Sequence, residues 1–340
     1  MLLPLLLVAC SDTAINRLHQ TDQFEQAPSN AVDILWIVDN SKSMQEEQDA
    51  VAAAAGSFLA QLEDAGMDFH LGVVTTDMSS SNADAGALMG GVMTSACMDD
   101  GDPADCTYAS QFQAAVLRGV DGDNQEKGLG AALAAISEPI KSTRNAGFRR
   151  DDAPLMIVVL SDENDCTDQG ALAPDTSNDA CYHNGDLLVP VPDLASDLRD
   201  ATDNNTMFSG IIGPAQKKLC STSYSGDRYR WAIEILRGIE ANICDNDYDT
   251  VMAGLGLAAS GVLDTFQLSK AADPETIEVQ VDPPDLEPYD VDGDELIGWT
   301  YDATYSQITF HGSSVPPRGS VVTVDYTVTG PLPDDVEAVN

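Results

Sequence analysis

Apolar runs alternate with helical patterns along most of the first 265 residues. Nearly continuous apolar segments, typical of parallel strands buried on both faces, occur at 32–38, 69–76, 155–160 and 206–212. Apolar side chains at helical spacing predict helices at 46–62, 128–140, 191–203 and 248–263, with a further strand at 87–93. This alternation predicts a doubly wound, Rossmann-like, mostly parallel α/β sheet over residues 31–265.

The pattern changes after residue 265. Polar and apolar residues alternate at 276–281, 307–310 and 321–328, with Pro and Gly between these segments. A period of two predicts antiparallel strands with one buried face. We expect residues 266–340 to form a small β-sandwich-like antiparallel module.

The N-terminus has the pattern of a leader. Residues 2–9 are apolar but too short to span a bilayer, which takes roughly 20 residues, and they fit the apolar region of a signal peptide. The segment LVAC at 7–10 resembles the lipobox of bacterial lipoproteins, whose Cys becomes the acylated first residue. We expect residues 1–9 to be a signal peptide, Cys10 to carry lipid, and residues 10–30 to be a polar tether. No basic residue precedes the apolar run, which would fit a leader that begins further upstream; a buried N-terminal strand is the alternative.

The remaining cysteines number an even six, which in an exported chain predicts disulfides. No CxxC pair occurs and the histidines are scattered, so a zinc site is not expected. Several pairings are open. We favour pairs of neighbours that each close one polar loop, namely Cys97–Cys106, Cys166–Cys181 and Cys220–Cys244.

Oxygen-bearing side chains follow two of the buried strands. Asp39, Ser41 and Ser43 come after the first strand, and Asp162 comes after the strand at 155–160. Ligands of open α/β sheets bind beyond the carboxyl ends of the strands. Carboxylate and hydroxyl oxygens suit Mg²⁺, Ca²⁺ or Mn²⁺. A purely structural alternative is that Asp39 and Ser43 cap the following helix.

Two segments carry a resemblance to a known family. DNSKS at 39–43 resembles the DxSxS motif of von Willebrand factor type A domains, and VVLSD at 158–162 resembles their later strand that ends in Asp. In that family these residues form a metal-ion-dependent adhesion site with one coordination position open for a carboxylate of a protein partner. The resemblance covers residues 31–265. It implies that Asp39, Ser41, Ser43 and Asp162 hold a divalent cation.

One element departs from the family pattern. The family places a Thr shortly before a Gly that opens the next helix, whereas residues 121–128 contain no Thr. Counting back from Gly128, Asp123 is our candidate for this ligand and Glu126 is the second. A carboxylate here should tighten cation binding and weaken attraction for an acidic group of a partner. Glu163 also stands where many members of the family have Gly. The acidic loop at 163–168 is either a second calcium site or a polar loop.

The net charge of the chain and the absence of common catalytic motifs reduce the number of function classes to consider. The chain has 56 acidic and 16 basic residues, a net charge of −40, which excludes nucleic acid as a partner. No GxSxG, P-loop or HExxH segment occurs, and we expect no enzymatic activity. The sequence predicts a lipid-anchored protein of the bacterial outer membrane, facing the periplasm or the outside, that uses its cation for adhesion or protein binding. The alternatives are a metal-dependent hydrolase and a calcium-stabilised structural lipoprotein.

Overall fold

The computed structural model describes residues 18–25, 30–98, 107–172, 180–216, 219–220, 222–261, 265–282, 298–311, 314–316 and 319–329. Its strands are β1 (His19–Glu25), β2 (Ala31–Val38), β3 (Asp68–Thr75), β4 (Met93–Thr94), β5 (Leu155–Ser161), β6 (Thr206–Ile212), β7 (Glu240–Asn242), β8 (Thr265–Gln267), β9 (Glu278–Asp282), β10 (Gly298–Asp302), β11 (Gln307–His311) and β12 (Val321–Thr327). Its helices are α1 (Gln45–Ala53), α2 (Ala55–Asp64), α3 (Tyr108–Val116), α4 (Gly128–Ala135), α5 (Ala180–His183), α6 (Val191–Asp200), α7 (Asp227–Leu236) and α8 (Tyr248–Ser260). The chain divides into two compact units, residues 29–262 and residues 1–28 with 263–340.

The larger unit, the α/β domain, is built on a six-stranded sheet. Its strand order is β4-β3-β2-β5-β6-β7. The pairs from β3 through β7 are parallel, and only the short edge strand β4 runs antiparallel. The predicted α/β fold class, a doubly wound and mostly parallel sheet, is confirmed.

Both faces of this sheet are covered, as the continuous apolar strands require. On β2, Ile34, Trp36 and Val38 pack into a core shared with α1, α2, α3 and α8. Leu35 and Ile37 point to the opposite face, where α4, α6 and α7 cover them. Side chains that alternate along one strand thus fill two separate cores.

Several elements differ in extent from the sequence prediction. The helix expected at 46–62 is two helices, α1 and α2, which meet at Ala54. Helix α4 ends at Ala135, short of the expected residue 140, because Pro139 disfavours helical geometry at the residue before it and cannot donate a helix hydrogen bond. The strand expected at 87–93 is limited to Met93–Thr94.

The smaller unit, the β module, contains two three-stranded antiparallel sheets, β1-β12-β9 and β10-β11-β8. They share a core that includes Phe266, Phe310, Val322 and Tyr326. Strand β1 lies inside the range expected to be a tether and pairs with β12 along its whole length. The tether prediction differs from the structure here because β1 presents one apolar side chain, Phe24, so its sequence lacks the alternation that marks a strand.

Two of the predicted disulfides are present. Cys166 is bonded to Cys181 and Cys220 to Cys244, with Cα–Cα distances of 5.0 and 5.6 Å. The Cys97–Cys106 pair, the signal peptide at 1–9 and Cys10 lie outside the part that the structure describes. In that described part, no helix combines the length and apolar character needed to cross a bilayer.

Candidate metal centre

Three neighbouring parallel strands end in polar side chains at one edge of the sheet. Asp39 follows β2, Thr76 follows β3, and Ser161 ends β5 directly before Asp162. The backbone ladder carries on past the strand ends, since Asp39 N donates to Leu160 O at 3.0 Å and Thr76 N donates to Val38 O. The hydrogen bonds of the sheet therefore fix the backbone positions from which these side chains extend.

The DxSxS residues form a continuous chain of hydrogen bonds with Asp162. Asp39 Oδ1 accepts from the backbone N of Ser41 at 2.8 Å. The hydroxyls of Ser41 and Ser43 lie 3.3 Å apart, and Ser43 Oγ donates to Asp162 Oδ1 at 3.2 Å. On the other side, Ser161 Oγ donates to Asp39 Oδ2 at 2.6 Å. The structure brings Asp39, Ser41, Ser43 and Asp162 together, as the sequence predicts.

The two candidates for the fourth ligand, Asp123 and Glu126, have different surroundings. Asp123 Oδ1 accepts from the backbone N of Gln125 at 2.9 Å, and its side chain lines a neighbouring cavity. Glu126 is instead fully buried, accepts a hydrogen bond from Thr76 Oγ1, and interacts electrostatically with Asp39. Of the two candidates, the structure thus brings Glu126 into contact with Asp39 and Thr76. Counting residues back from Gly128 does not show which of the two side chains lies near Asp39.

Burial and mutual repulsion disfavour the ionised forms of the carboxyl groups in this cluster. Burial, with the nearby Asp39 carboxylate, raises the pKa of Asp162 to about 7. Burial raises the pKa of Asp39, and burial with the charges of Asp39 and Glu163 raises the pKa of Glu126 well above its usual range. Glu126 Oε1 is buried without a hydrogen-bond donor among the described residues.

No Lys, Arg or His that the structure describes lies within ion-pair distance of Asp39, Glu126 or Asp162. The donors around them are neutral hydroxyls and backbone N–H groups. An oxygen-only donor set with an unpartnered buried carboxylate oxygen fits a hard divalent cation such as Mg²⁺, Ca²⁺ or Mn²⁺.

Gln48 holds the loop that carries the DxSxS residues. It is buried on α1, and its Nε2 donates to the backbone carbonyls of Asp39 at 2.8 Å and Gly119 at 3.0 Å. Its Oε1 accepts from the backbone N of Arg118 at 2.8 Å. One side chain thereby joins the segment after β2 to the segment that leads towards Glu126.

The first turn of α4, directly after Glu126, is held by side chains from elsewhere in the fold. The N–H of Leu129 donates to Asp165 Oδ1 at 3.0 Å, and that of Gly130 donates to Thr167 Oγ1 at 2.9 Å. The N–H of Gly128 donates to the hydroxyl of Tyr229 at 3.2 Å. These bonds supply acceptors for helix-terminal N–H groups, which have no partner within a helix.

Gly128 is required at this position by the same contact. A Cβ there would lie 2.5 Å from the hydroxyl oxygen of Tyr229. Tyr229 is itself fully buried, so it has little room to withdraw.

The acidic loop after Asp162 is a polar loop by its contacts. Asp165 Oδ2 accepts from Arg228 Nε and Nη2 at 3.1 and 3.0 Å, and Asn164 Oδ1 accepts from the backbone N of Arg228 at 2.8 Å. Asp168 Oδ1 pairs with Lys127 Nζ at 2.7 Å. These oxygens already have protein donors, which favours the polar-loop interpretation over a second calcium site.

Sequence reasoning missed Thr76, Ser161 and Gln48. Thr76 and Ser161 were detectable, because each is a hydroxyl at the carboxyl end of a strand predicted to lie in the same sheet. Gln48 gave no signal, since a polar residue one turn into a helix is ordinarily exposed.

No group of three or more His, Cys, Asp or Glu side chains that could by itself hold a metal ion is found among the described residues.

No family model matches the chain, and no curated protein matches it. Solved structures show similarity of fold. The pilus adhesin SpaC from Lactobacillus rhamnosus GG is 13% identical, with a TM-score of 0.42, over 91% of this chain and 40% of that chain.

Further similar structures are a von Willebrand factor type A protein from Catenulispora acidiphila and proximal thread matrix protein 1 from the mussel byssus. The first is 14% identical, with a TM-score of 0.39, over 92% of this chain and 66% of that chain. The second is 12% identical, with a TM-score of 0.38, over 73% of this chain and 51% of that chain. The chain spans about two fifths of the length of the pilus adhesin.

Proposed function

We propose that the α/β domain binds one divalent cation, Mg²⁺, Ca²⁺ or Mn²⁺, and uses it to bind a protein partner. Asp39, Ser41, Ser43 and Asp162 would hold the ion, with Glu126 as the additional carboxylate. The cation would supply a positive charge with room for an oxygen donor from the partner. We propose binding rather than catalysis as the role of this site.

The observation that carries this proposal is a contrast with two other buried carboxylates of the α/β domain, Asp33 and Asp165. Asp33 is fully buried and pairs with Arg149 at 2.6 Å and with Arg150 at 2.8 Å. Asp165 is fully buried and pairs with Arg228 at 3.0 Å. A buried carboxylate is costly unless a cation compensates it, so each of these has one.

The carboxylates of Asp39, Glu126 and Asp162 differ from these two. Asp162 accepts a hydrogen bond from Ser43, whose hydroxyl lies beside that of Ser41, and Glu126 interacts with Asp39. No basic side chain that the structure describes forms an ion pair with any of the three, at a sheet edge where α/β folds bind ligands. A bound cation would compensate the charge there. Neutral hydroxyls would complete its oxygen ligands without adding further negative charge.

The additional carboxylate affects the partner as well as the metal. With Glu126 in the cluster, the ligands carry more negative charge than a divalent ion can neutralise. The bound site would then attract an acidic side chain of the partner less strongly than a site with a hydroxyl at that position. A partner oxygen of either kind, carboxylate or carbonyl, could still fill an open coordination position.

Hydrolysis is the weaker alternative. A metal-dependent hydrolase usually needs a cation or a general base beside the metal to grip and activate its substrate. Lys127, the nearest basic residue in sequence to Glu126, is engaged by Asp168 at 2.7 Å, and Lys42 is exposed. These contacts favour a binding role.

Titration calorimetry tests the metal site. Purified protein, stripped with chelator, is titrated with Mg²⁺, Ca²⁺ and Mn²⁺ at physiological salt, which screens weak association with the acidic surface. We expect wild type to bind one ion per chain and Asp39→Asn to bind it at least about tenfold more weakly. Asp49→Asn is the matched control, because Asp49 is an exposed carboxylate on α1 that contacts Gln45. Equal affinities for wild type and Asp39→Asn would overturn the assignment.

We also propose that the chain is exported and lipid-anchored at Cys10. Two disulfides in the α/β domain fit an oxidising compartment, and the LVAC segment supplies the acylation pattern. Intact-mass analysis of membrane-purified protein should show an acylated chain that begins at Cys10 and has no free thiol. A chain with an unmodified Cys10 would contradict the anchor, and free thiols would contradict full pairing.

A further inference from the structure

A cavity of about 630 Å³ lies in the α/β domain beside the candidate metal centre. The segment after β3, the segment before α4, the loop after β5 and helix α6 all contribute to its wall. Apolar side chains make up much of the lining, namely Met78, Leu133, Leu172, Val189 and Leu194. A concave, partly apolar site of this size is large enough for a ligand side chain and its neighbours.

The polar part of the lining is negatively charged. Lys127 and Asp168 both face the cavity, but they form an ion pair at 2.7 Å and neutralise each other. Asp123 and Asp197 also line the cavity, and the structure shows neither of them in an ion pair with any basic residue it describes. An occupant would meet an apolar surface and two uncompensated carboxylates.

We propose that this cavity receives a lysine or arginine side chain of the partner protein. Such side chains bury an apolar stem while keeping a cationic head beside polar groups, which matches both parts of the lining. The net charge of −40 would steer a basic segment towards the domain. An acidic side chain would be repelled and a purely apolar one would leave the carboxylates uncompensated.

The segment before α4 contributes to both the cavity and the candidate metal centre. Lys127, which lines the cavity, follows Glu126 directly, and its backbone N donates to the backbone O of Thr76 at 3.0 Å. Assigning the basic side chain to the same partner rests on the proposed function, whereas the chemistry of the cavity does not.

The test uses a single-residue probe and its uncharged counterpart. Nα-acetyl-arginine N-methylamide and the matching citrulline derivative have nearly the same shape and differ in charge. Each is titrated into isotope-labelled protein, with the amide signals of Gly130 and Thr167, residues of the cavity wall, as the readout. We expect the arginine probe to bind and the citrulline probe to bind much more weakly.

Variants then locate the binding. Asp197→Asn should weaken binding of the arginine probe by about fivefold, the effect of one lost partly exposed ion pair. Asp200→Asn, a carboxylate on the same helix that does not line the cavity, is the control and should change nothing. Equal binding of both probes, or equal effects of the two variants, would overturn the proposal.

The titration is run in chelator and again with saturating Mg²⁺, and also on Asp39→Asn. Binding of the arginine probe in all of these conditions supports the cavity whatever the outcome of calorimetry at the metal centre. Loss of binding in Asp39→Asn would place the probe at the metal centre and would overturn the cavity assignment alone.

Discussion

Thr76 donates its hydroxyl hydrogen to the buried carboxylate of Glu126. The two residues belong to neighbouring segments of the same sheet edge, Thr76 at the end of β3 and Glu126 directly before α4. A hydroxyl that follows one strand of the sheet thus meets a carboxylate that precedes a helix at the same edge, and this bond ties Glu126 to the candidate metal centre.

Thr76→Val should destabilise the protein because it keeps the shape of the side chain and removes the donor. Glu126 would be left buried with neither oxygen bonded to a hydroxyl, and the expected loss is about 1–3 kcal/mol in the free energy of unfolding. Urea unfolding in the presence of chelator measures it. Thr75→Val makes the same change at the neighbouring buried position and should reduce the free energy of unfolding by less. Equal losses in the two variants would show that the Thr76 hydrogen bond does not contribute to stability.

Glu126→Gln should move stability and metal affinity in opposite directions. Burial beside Asp39 raises the pKa of Glu126 well above its usual range, so folding in the absence of metal carries the cost of protonating this side chain; the Gln variant avoids that cost and should gain on the order of 1 kcal/mol. The same change removes an anionic ligand, so divalent-ion affinity should fall. Asp123→Asn should alter neither quantity, because Asp123 lines the neighbouring cavity and its carboxylate accepts from the backbone N of Gln125. The reverse result, with Asp123→Asn weakening the metal, would restore Asp123 as the ligand.

The site residues that the sequence predicts are those that lie close together in the chain or directly follow a recognisable strand. Asp39, Ser41 and Ser43 are adjacent in the chain, and Asp162 ends a recognisable strand, so position along the chain implies position in space. Glu126 and Thr76 meet across fifty positions of sequence. Which of two acidic residues turns inward depends on the packing of the loop, which the sequence pattern does not encode.

The same distinction holds for the fold. Strands buried on both faces are rich in apolar residues, and the sequence predicts β2, β3, β5 and β6. Strand β1 was missed because its pairing with β12 relies on backbone hydrogen bonds and only one apolar side chain. Local alternation cannot reveal a strand whose partner lies about three hundred residues away, as the register of Thr21 with Asp325 illustrates.

Asp33→Ala should be strongly destabilising. Asp33 is fully buried on β2 and compensates both Arg149 and Arg150, and its removal would leave Arg149 without a carboxylate and Arg150 with only the exposed Asp68. The expected cost is roughly 3–5 kcal/mol. Asp68→Ala is the matched comparison, because Asp68 pairs with the same Arg150 through an exposed carboxylate, and surface pairs contribute at most about 1 kcal/mol. Similar unfolding midpoints for the two variants would contradict this difference.

The β module should lose stability in acid through Asp22 of β1. Partial burial acts against ionisation, but hydrogen bonds from the backbone N and the hydroxyl of Ser269, with one from Tyr326, lower the pKa of Asp22 overall. A lowered pKa means that the bonds contribute fully above the unfolded value near 4 and are lost as pH falls through the folded value.

Asp22→Asn should therefore flatten the pH dependence of unfolding of the β module below about pH 4. Asp282→Asn, an exposed carboxylate on β9, serves as the control and should leave the profile unchanged. Parallel pH profiles for wild type and Asp22→Asn would show that β1 does not contribute through this contact.

Asp165→Asn should weaken metal binding although Asp165 does not belong to the proposed ligand set. Its carboxylate receives the N–H of Leu129 in the first turn of α4, the hydroxyl of Thr167 and the guanidinium of Arg228. Glu126 lies directly before that turn. Loosening the start of α4 would let the Glu126 carboxylate move, and residues that orient ligands in this way typically account for 10–100-fold in affinity, so we expect a loss of about tenfold.

A stability measurement separates this positioning role from general damage. Asp165→Asn breaks the buried ion pair with Arg228 and should cost about 3 kcal/mol, the lower end for such a loss because Asn keeps an acceptor for the N–H of Leu129; a domain of ordinary stability then remains folded. Hydrogen exchange at Gly128–Gly130 should accelerate in the same variant. Asp227→Asn removes an exposed partner of Arg230 on the neighbouring helix and should change neither quantity. If Asp165→Asn were less stable but bound the ion as tightly as wild type, the start of α4 would have to be regarded as structural and not as a support of the metal centre.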